Sequence, residues 1–244
     1  MEEKRTTERK QVKSRARVRD HGEVFTAERE VKAMCDLVKD ECARVDSRFL
    51  EPACGDGNFL AEILSRKLAS VARLYRRRQF DWEVKSLVAL GSLYGVDILG
   101  DNAEACRGRL FALWDAEYAR LFGAARRDGD ARKSARFVLS RNIVRGNALS
   151  MHCVDADARD TAEPIVFSQW SLLAGGTKMR REDFEFASLL AAAEADREIV
   201  PDAVPQEAQA RPPEQLALFG TEEKGGDGRF LGSKIYPSRR VFDE

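Results

Sequence analysis

Apolar residues recur at three- and four-residue intervals over most of this chain. Short runs of consecutive apolar residues break that rhythm, each ending at a polar or glycine-containing turn. The first spacing predicts helices and the second predicts buried strands. Val31, Met34, Leu37 and Val38 form one stripe, on a helix that Thr26 is placed to cap. Phe59, Leu60, Ile63, Leu64 and Leu68 carry a helix over 59–73. Trp82, Val84, Leu87, Val88 and Leu90 carry another over 81–92, and Leu110, Leu113, Trp114, Tyr118 and Leu121 a third over 102–122. Strands are predicted at Phe49-Leu50, at 92–98, at Phe137-Val138-Leu139 with 142–149, and at 164–170; residues 123–136 read as a charged loop. The segment 175–184 is a glycine turn followed by a basic cluster, which suits either an exposed hairpin or a grip on phosphates. Residues 186–198 are Ala-rich and read as helix.

Strands that alternate with helices predict an α/β fold, three-layer α/β/α around a mostly parallel sheet. The ordered domain is expected over 21–198. Before it, residues 1–20 hold Lys4, Arg5, Arg9, Lys10, Lys13, Arg15, Arg17 and Arg19 without an apolar face, which gives a flexible basic arm or a phosphate-contacting one. After it, residues 199–244 hold Pro201, Pro205, Pro212 and Pro213 among Glu, Gln and Ala, the composition of a disordered tail.

Composition narrows the class. Of the 244 residues 43% are hydrophobic, enough to bury a core. Lys plus Arg and Asp plus Glu stand at 41 each, so any case for nucleic-acid binding must be local rather than global. Five cysteines without a C-x-x-C pair fit reduced thiols and a cytoplasmic location. No apolar run approaches the length of a membrane span, so no membrane partner is expected.

The organising stretch is Arg48-Phe49-Leu50-Glu51-Pro52-Ala53-Cys54-Gly55-Asp56-Gly57-Asn58-Phe59-Leu60, a strand, a glycine loop and a helix start in direct succession. Glycine lets a ligand approach the main chain, and the helix start offers free N–H groups at its positive end. A dinucleotide loop wants a third glycine where this chain has Leu60, and a phosphate loop wants Gly-Lys-Ser/Thr, which is absent. Glu51 would repel a pyrophosphate and would attract an ammonium group. S-adenosylmethionine carries an α-ammonium, a sulfonium and no phosphate. Glu51-Pro52-Ala53-Cys54-Gly55-Asp56-Gly57 resembles the first motif of the S-adenosylmethionine-dependent methyltransferases.

Two further segments are similar to the bacterial adenine-N6 DNA methyltransferases of restriction–modification systems. Gly22, Phe25 and Thr26 resemble the opening stretch whose Phe and Thr touch the methionine end of the cofactor, although Ala27 stands where that family has Pro. Leu93-Tyr94-Gly95-Val96-Asp97-Ile98 resembles the second strand, followed by Asp101-Asn102 and Arg107-Gly108-Arg109-Leu110. The resemblance implies a Rossmann-like methyltransferase fold with S-adenosylmethionine as cofactor and DNA as substrate. It implies that Phe25 and Thr26 touch the methionine end, that Glu51, Pro52, Cys54, Gly55 and Gly57 form the cofactor loop, that Asp97 accepts from the ribose hydroxyls, that Ile98 lies against adenine, and that Asn147 reaches the adenine amino group. No metal is required.

The family's catalytic Asn/Asp-Pro-Pro-Tyr/Phe is not found anywhere in the chain. By position Ser168, Gln169 and Trp170 are the candidates to replace it: Ser168 and Gln169 as hydrogen-bond acceptors for the target amine, Trp170 to stack a flipped base. A plain strand ending in a turn accounts for the same residues. Three activities therefore stand side by side: a DNA adenine-N6 methyltransferase, a non-catalytic cofactor-binding subunit that relies on a specificity or catalytic partner subunit, and a methyltransferase acting on RNA or protein. In the tail, Gln215-Leu216-Ala217-Leu218-Phe219 resembles the peptide that binds the bacterial sliding clamp, with docking onto the chain's own fold as the alternative.

Overall fold

The computed structural model describes residues 17–19, 26–173, 175–188 and 230–242. Two short helices open the domain, α1 (Glu28–Leu37) and α2 (Lys39–Ala43). Strand β1 (Phe49–Glu51) then leads through the glycine loop into α3 (Asn58–Tyr75). Helix α4 (Gln79–Gly91) precedes β2 (Leu93–Asp97), and α5 (Gly100–Phe122) and α6 (Gly129–Asn142) precede β3 (Ile143–Arg145). The result is a mixed α/β architecture with a three-stranded parallel sheet in the order β1-β2-β3. No described helix is long and apolar enough to cross a membrane.

The sheet is covered differently on its two faces. Leu93 faces a large core built from Leu60, Leu64, Leu68, Trp82, Leu87, Leu110, Trp114 and Leu139, which are at most 4% exposed. Tyr94 and Val96, alternating with it, face a second cluster with Ile165, Phe167 and Phe186. An antiparallel sheet follows, of β6 (Val166–Leu172), β7 (Lys178–Glu185) and β8 (Phe230–Pro237), in that order; Phe167 joins the second cluster, while Trp170, Met179 and Tyr236 join the first. A short hairpin of β4 (His152–Val154) and β5 (Asp160–Pro164) joins β3 to it.

Three sequence expectations are corrected here. Phe137-Val138-Leu139 lies within α6, which Asp128 caps by accepting from the N–H groups of Asp130 and Ala131 (2.9 and 3.0 Å). A side-chain cap and a face of Ala131, Ala135, Val138 and Leu139 override the local strand-like run. Thr26 does not cap α1; Ala27 holds that position without a side-chain bond. The tail does not stay apart over its last part. Residues 230–237 pair with β7, and Arg239 sets its guanidinium against Glu83 (2.7 Å) and Asp128 (2.5 Å). Ser134 completes this clasp, donating to the Arg239 carbonyl (2.8 Å) and accepting from the Val241 N–H (3.1 Å). Glu83 is fully buried and also receives hydrogen bonds from Tyr118 and Gln79, so its charge is compensated inside the fold. The Ala-rich segment from residue 189 onward and the Gln215–Phe219 peptide lie outside the described residues, as do residues 1–16 of the arm.

Candidate cofactor-binding site

The glycine loop sits at the carboxyl edge of the parallel sheet, where β1 and β2 end together. Gly57 has φ 86°, and a Cβ there would meet the Cys106 sulfur at 2.6 Å, so both backbone angle and space demand glycine. Gly55 also has a positive φ of 53°. Gly57 is the N-cap of α3 and contributes no side-chain cap. The positive end of the α3 dipole therefore lies at the loop.

Asp97, at the end of β2, ties the loop to the sheet. Its Oδ2 accepts from the Gly55 N–H (2.8 Å), and its Oδ1 from the Leu99 N–H (2.8 Å) and the Asn102 amide (3.2 Å). Asp97 is thus a loop-orienting group as well as a candidate ribose acceptor. Three donors leave part of a carboxylate's acceptor capacity for hydroxyls.

Glu51 is half-buried at the end of β1. Burial lifts its carboxyl above the ordinary range, opposed only by a hydrogen bond from the Ala53 backbone. A desolvated carboxylate with no cation paired to it among the described residues favours a cationic ligand group. Beneath the loop, Cys54 is buried. A hydrogen bond with Cys106, then burial, raises its thiol well above the usual range, which keeps it an uncharged packing group. Pro52 is exposed at the turn.

Other predicted residues fall into two groups. Thr26 is brought to the loop, because the Asn58 amide donates to its carbonyl (3.2 Å); Phe25 lies outside the described residues. Ile98 follows Asp97 along the same edge, and its carbonyl accepts from Arg145 (3.3 Å). Asn147 stands two residues beyond β3 at that edge. Its amide donates to Asp160 (3.0 Å) and its oxygen accepts from the Leu149 N–H (3.0 Å), so the side chain holds its own turn.

Ser168, Gln169 and Trp170 are not brought to this site. Strand β6 starts near the carboxyl edge and runs towards the opposite end of the sheet. Trp170 is 6% exposed and packs where a Cβ on Gly91 would meet its ring at 2.7 Å, ahead of β2. Ser168 is fully buried and donates to Asp183 (2.6 Å), while Gln169 accepts from Arg48 (3.4 Å). The direction of β6 carries these three away from the loop, and burial closes the first and last. Arg181 of the basic cluster is likewise committed, bonded to Asp183 (2.9 Å) and Tyr236 (3.2 Å), and the cluster lies on β7, which forms a hairpin with β6.

Two contributors were not singled out as site residues in the sequence. Asn102 is 1% exposed and braces Asp97, a polar residue in the first helical turn after an acidic strand end. Arg17 grips Asp101 at 2.6 and 3.1 Å, so this part of the arm rests on α5 one turn from Asp97. No group of His, Cys, Asp or Glu suited to a metal ion occurs among the described residues. A scan against protein-family models finds no match, and searches of curated proteins and of solved structures find none either.

Proposed function

We propose that this chain binds S-adenosylmethionine and serves methyl transfer to the N6 amino group of adenine in DNA, as the cofactor-holding part of a Rossmann-like methyltransferase. The observation that carries this reading is the pairing of a glycine loop on a helix N-terminus with two carboxylates, Glu51 uncompensated and Asp97 braced against the Gly55 N–H. A phosphate-bearing cofactor would meet repulsion from both. An ammonium suits Glu51, and a ribose suits Asp97.

When bound, S-adenosylmethionine supplies an electrophilic methyl group on a sulfonium. The chain's own work is positioning. Glu51 would hold the ammonium, the loop would let the ligand approach the backbone, and Asp97 with Asn102 would fix the ribose end. Orienting a methyl group for in-line attack accounts for much of such catalysis, since aligned reactants behave as an intramolecular pair.

The second reading, a subunit that holds the cofactor without completing the chemistry, is favoured by the burial of Ser168 and Trp170. None of the described residues expected to accept from a target amine reaches the loop. RNA or protein as substrate remains the third reading.

Calorimetry with S-adenosylmethionine on the full chain is the deciding experiment, paired with transfer of labelled methyl to unmethylated DNA. Binding that weakens about tenfold or more in Asp97→Asn supports the cofactor site. Absence of binding by a folded chain overturns the proposal. Label recovered as N6-methyladenine identifies the substrate; binding without label selects the subunit reading.

A further inference from the structure

Most arginines among the described residues are committed to a partner. Arg66 pairs with Asp36 and Glu62, Arg132 with Asp115, and Arg239 with Glu83 and Asp128. Arg145 donates to backbone carbonyls, and Arg136 lies over the Phe111 ring. Among the described residues, the guanidinium groups of Arg73, Arg76, Arg77 and Arg126 take part in no hydrogen bond, ion pair or ring contact.

These four are also neighbours. Arg73 lies in the last turn of α3, and Arg76, its C-cap, keeps helical geometry (φ −56°, ψ −17°), so the two share a face three residues apart. Arg77 and Arg78 follow in the turn before α4. Gln79, the first residue of α4, donates its amide to the Arg126 carbonyl (2.8 Å), which sets the single 3-10 turn Ala124–Arg126 against the same corner. All four side chains belong to exposed residues. The carboxylates nearest them already face cations: Asp81 pairs with Arg78, and Glu83 and Asp128 pair with Arg239. One basic residue at a helix C-terminus favours the dipole, and Arg73 serves that end. Arg76, Arg77 and Arg126 add like charges to it in a chain whose total charge is balanced. Like charges so placed repel, and an anion relieves them.

The arrangement selects the anion. Guanidinium forks match phosphate oxygens. Spread over a helix end and two turns, the four suit an extended polyanion rather than one phosphate. A lipid surface wants an apolar face to bury, whereas the exposed apolar residues here are Leu74 and Phe80, and Arg239 lies over the Phe80 ring (5.6 Å). Exposed pairs with carboxylates gain little. Each phosphate neutralised along a nucleic acid releases counterions and adds affinity.

We propose that the corner formed by Arg73, Arg76, Arg77 and Arg126 binds the phosphodiester backbone of a nucleic acid without reading its sequence. Helix α3 has 18 residues and so places this corner about 27 Å from the glycine loop. The corner is a second site, and it does not depend on what the loop holds.

The test measures binding of the full chain to mixed-sequence duplex DNA and duplex RNA by fluorescence anisotropy over a series of salt concentrations. The triple variant Arg73→Gln, Arg76→Gln, Arg77→Gln should weaken binding at least about tenfold and make the slope of log affinity against log salt shallower by about 2 to 3. Removing the same charge elsewhere, with Arg29→Gln, Lys39→Gln and Arg159→Gln at other exposed positions, should change both far less. Arg77→Gln with Arg126→Gln alters the same corner from a different element and should act in the same direction, which guards against a disturbed end of α3. Absence of duplex binding by the wild type, equal losses in corner and control variants, or binding of anionic phospholipid vesicles in place of both duplexes overturns the proposal. Calorimetry with S-adenosylmethionine separates this site from the proposed function. Corner-dependent duplex binding by a chain that takes up no cofactor leaves this site and sinks the function, whereas cofactor uptake without duplex binding at the corner does the reverse.

Discussion

The two three-stranded sheets of this molecule are built to opposite ends. The antiparallel one is closed by its own chain: Asp183 ties Ser168 and Arg181 together, and the Arg239 clasp fastens the strand β8 segment to α4 and α6. The parallel one has glycines where side chains would fit poorly and, among the described residues, a carboxylate without a cation and a strand edge without a partner near exposed Met34 and Leu37. Groups satisfied internally make a stable foot. Groups left unsatisfied at one edge make a place for something else to bind. The proposed function falls on the second kind of sheet.

Substitutions in the foot should therefore lower stability and leave ligand binding to the folded chain intact. Arg239→Ala strands Glu83 in the interior and is expected to destabilise by about 3–5 kcal/mol, read as a lower urea midpoint. Lys67 is the next largest. It is fully buried and donates to the carbonyls of Arg44, Val45 and Ser47 at 2.7, 3.2 and 2.6 Å, which pins the loop ahead of β1. Lys67→Met leaves those carbonyls short of a donor and should remove about 1–3 kcal/mol. Burial pushes the Lys67 ammonium down to about 7. The unfolded chain keeps that proton up to about 10.4, so between these values the unfolded state binds more protons and this group makes stability rise with pH. The methionine variant should lose that part of the slope in urea titrations at stepped pH.

At the loop, Gly57→Ala meets both a positive φ and the Cys106 sulfur, and is expected to lose about 1–3 kcal/mol together with cofactor affinity. Adding Cys106→Ala should restore part of the loss by removing the 2.6 Å contact; no recovery in calorimetry would leave backbone strain as the whole effect. The smallest effect is set for Gln169→Ala, which should change cofactor binding and methyl transfer by less than about twofold. A larger fall in transfer alone would return Gln169 to the site and undo the contrast between the sheets.

Local patterns carried much of the parallel half. The strand, loop and helix of 49–60 and the strand ending at Asp97 could be read because each signal lies within a dozen residues. Asp97 could be picked out as a site residue, but its bond to Gly55 could not, since it joins positions 42 apart in the chain. What stayed illegible was non-local. The pairing of β8 with β7 spans residues 189–229, and nothing in Phe230–Phe242 taken alone predicts a partner. The strand at 166–172 was readable as a strand, but not its direction, and direction decides whether Ser168 and Trp170 meet a ligand or the floor of the core. The stripe on α1 was readable as apolar. Whether the chain covers it is a property of the assembled surface, and periodicity does not encode that.

The clasp at Arg239 also joins distant parts of the chain. Glu83 and Asp128 come far earlier in sequence than the residue that pairs with them. Closing the long connection adds little, because loop entropy grows only with the logarithm of length. The clasp thus gains its hold on α4 and α6 at little extra cost for being made from so far along the chain.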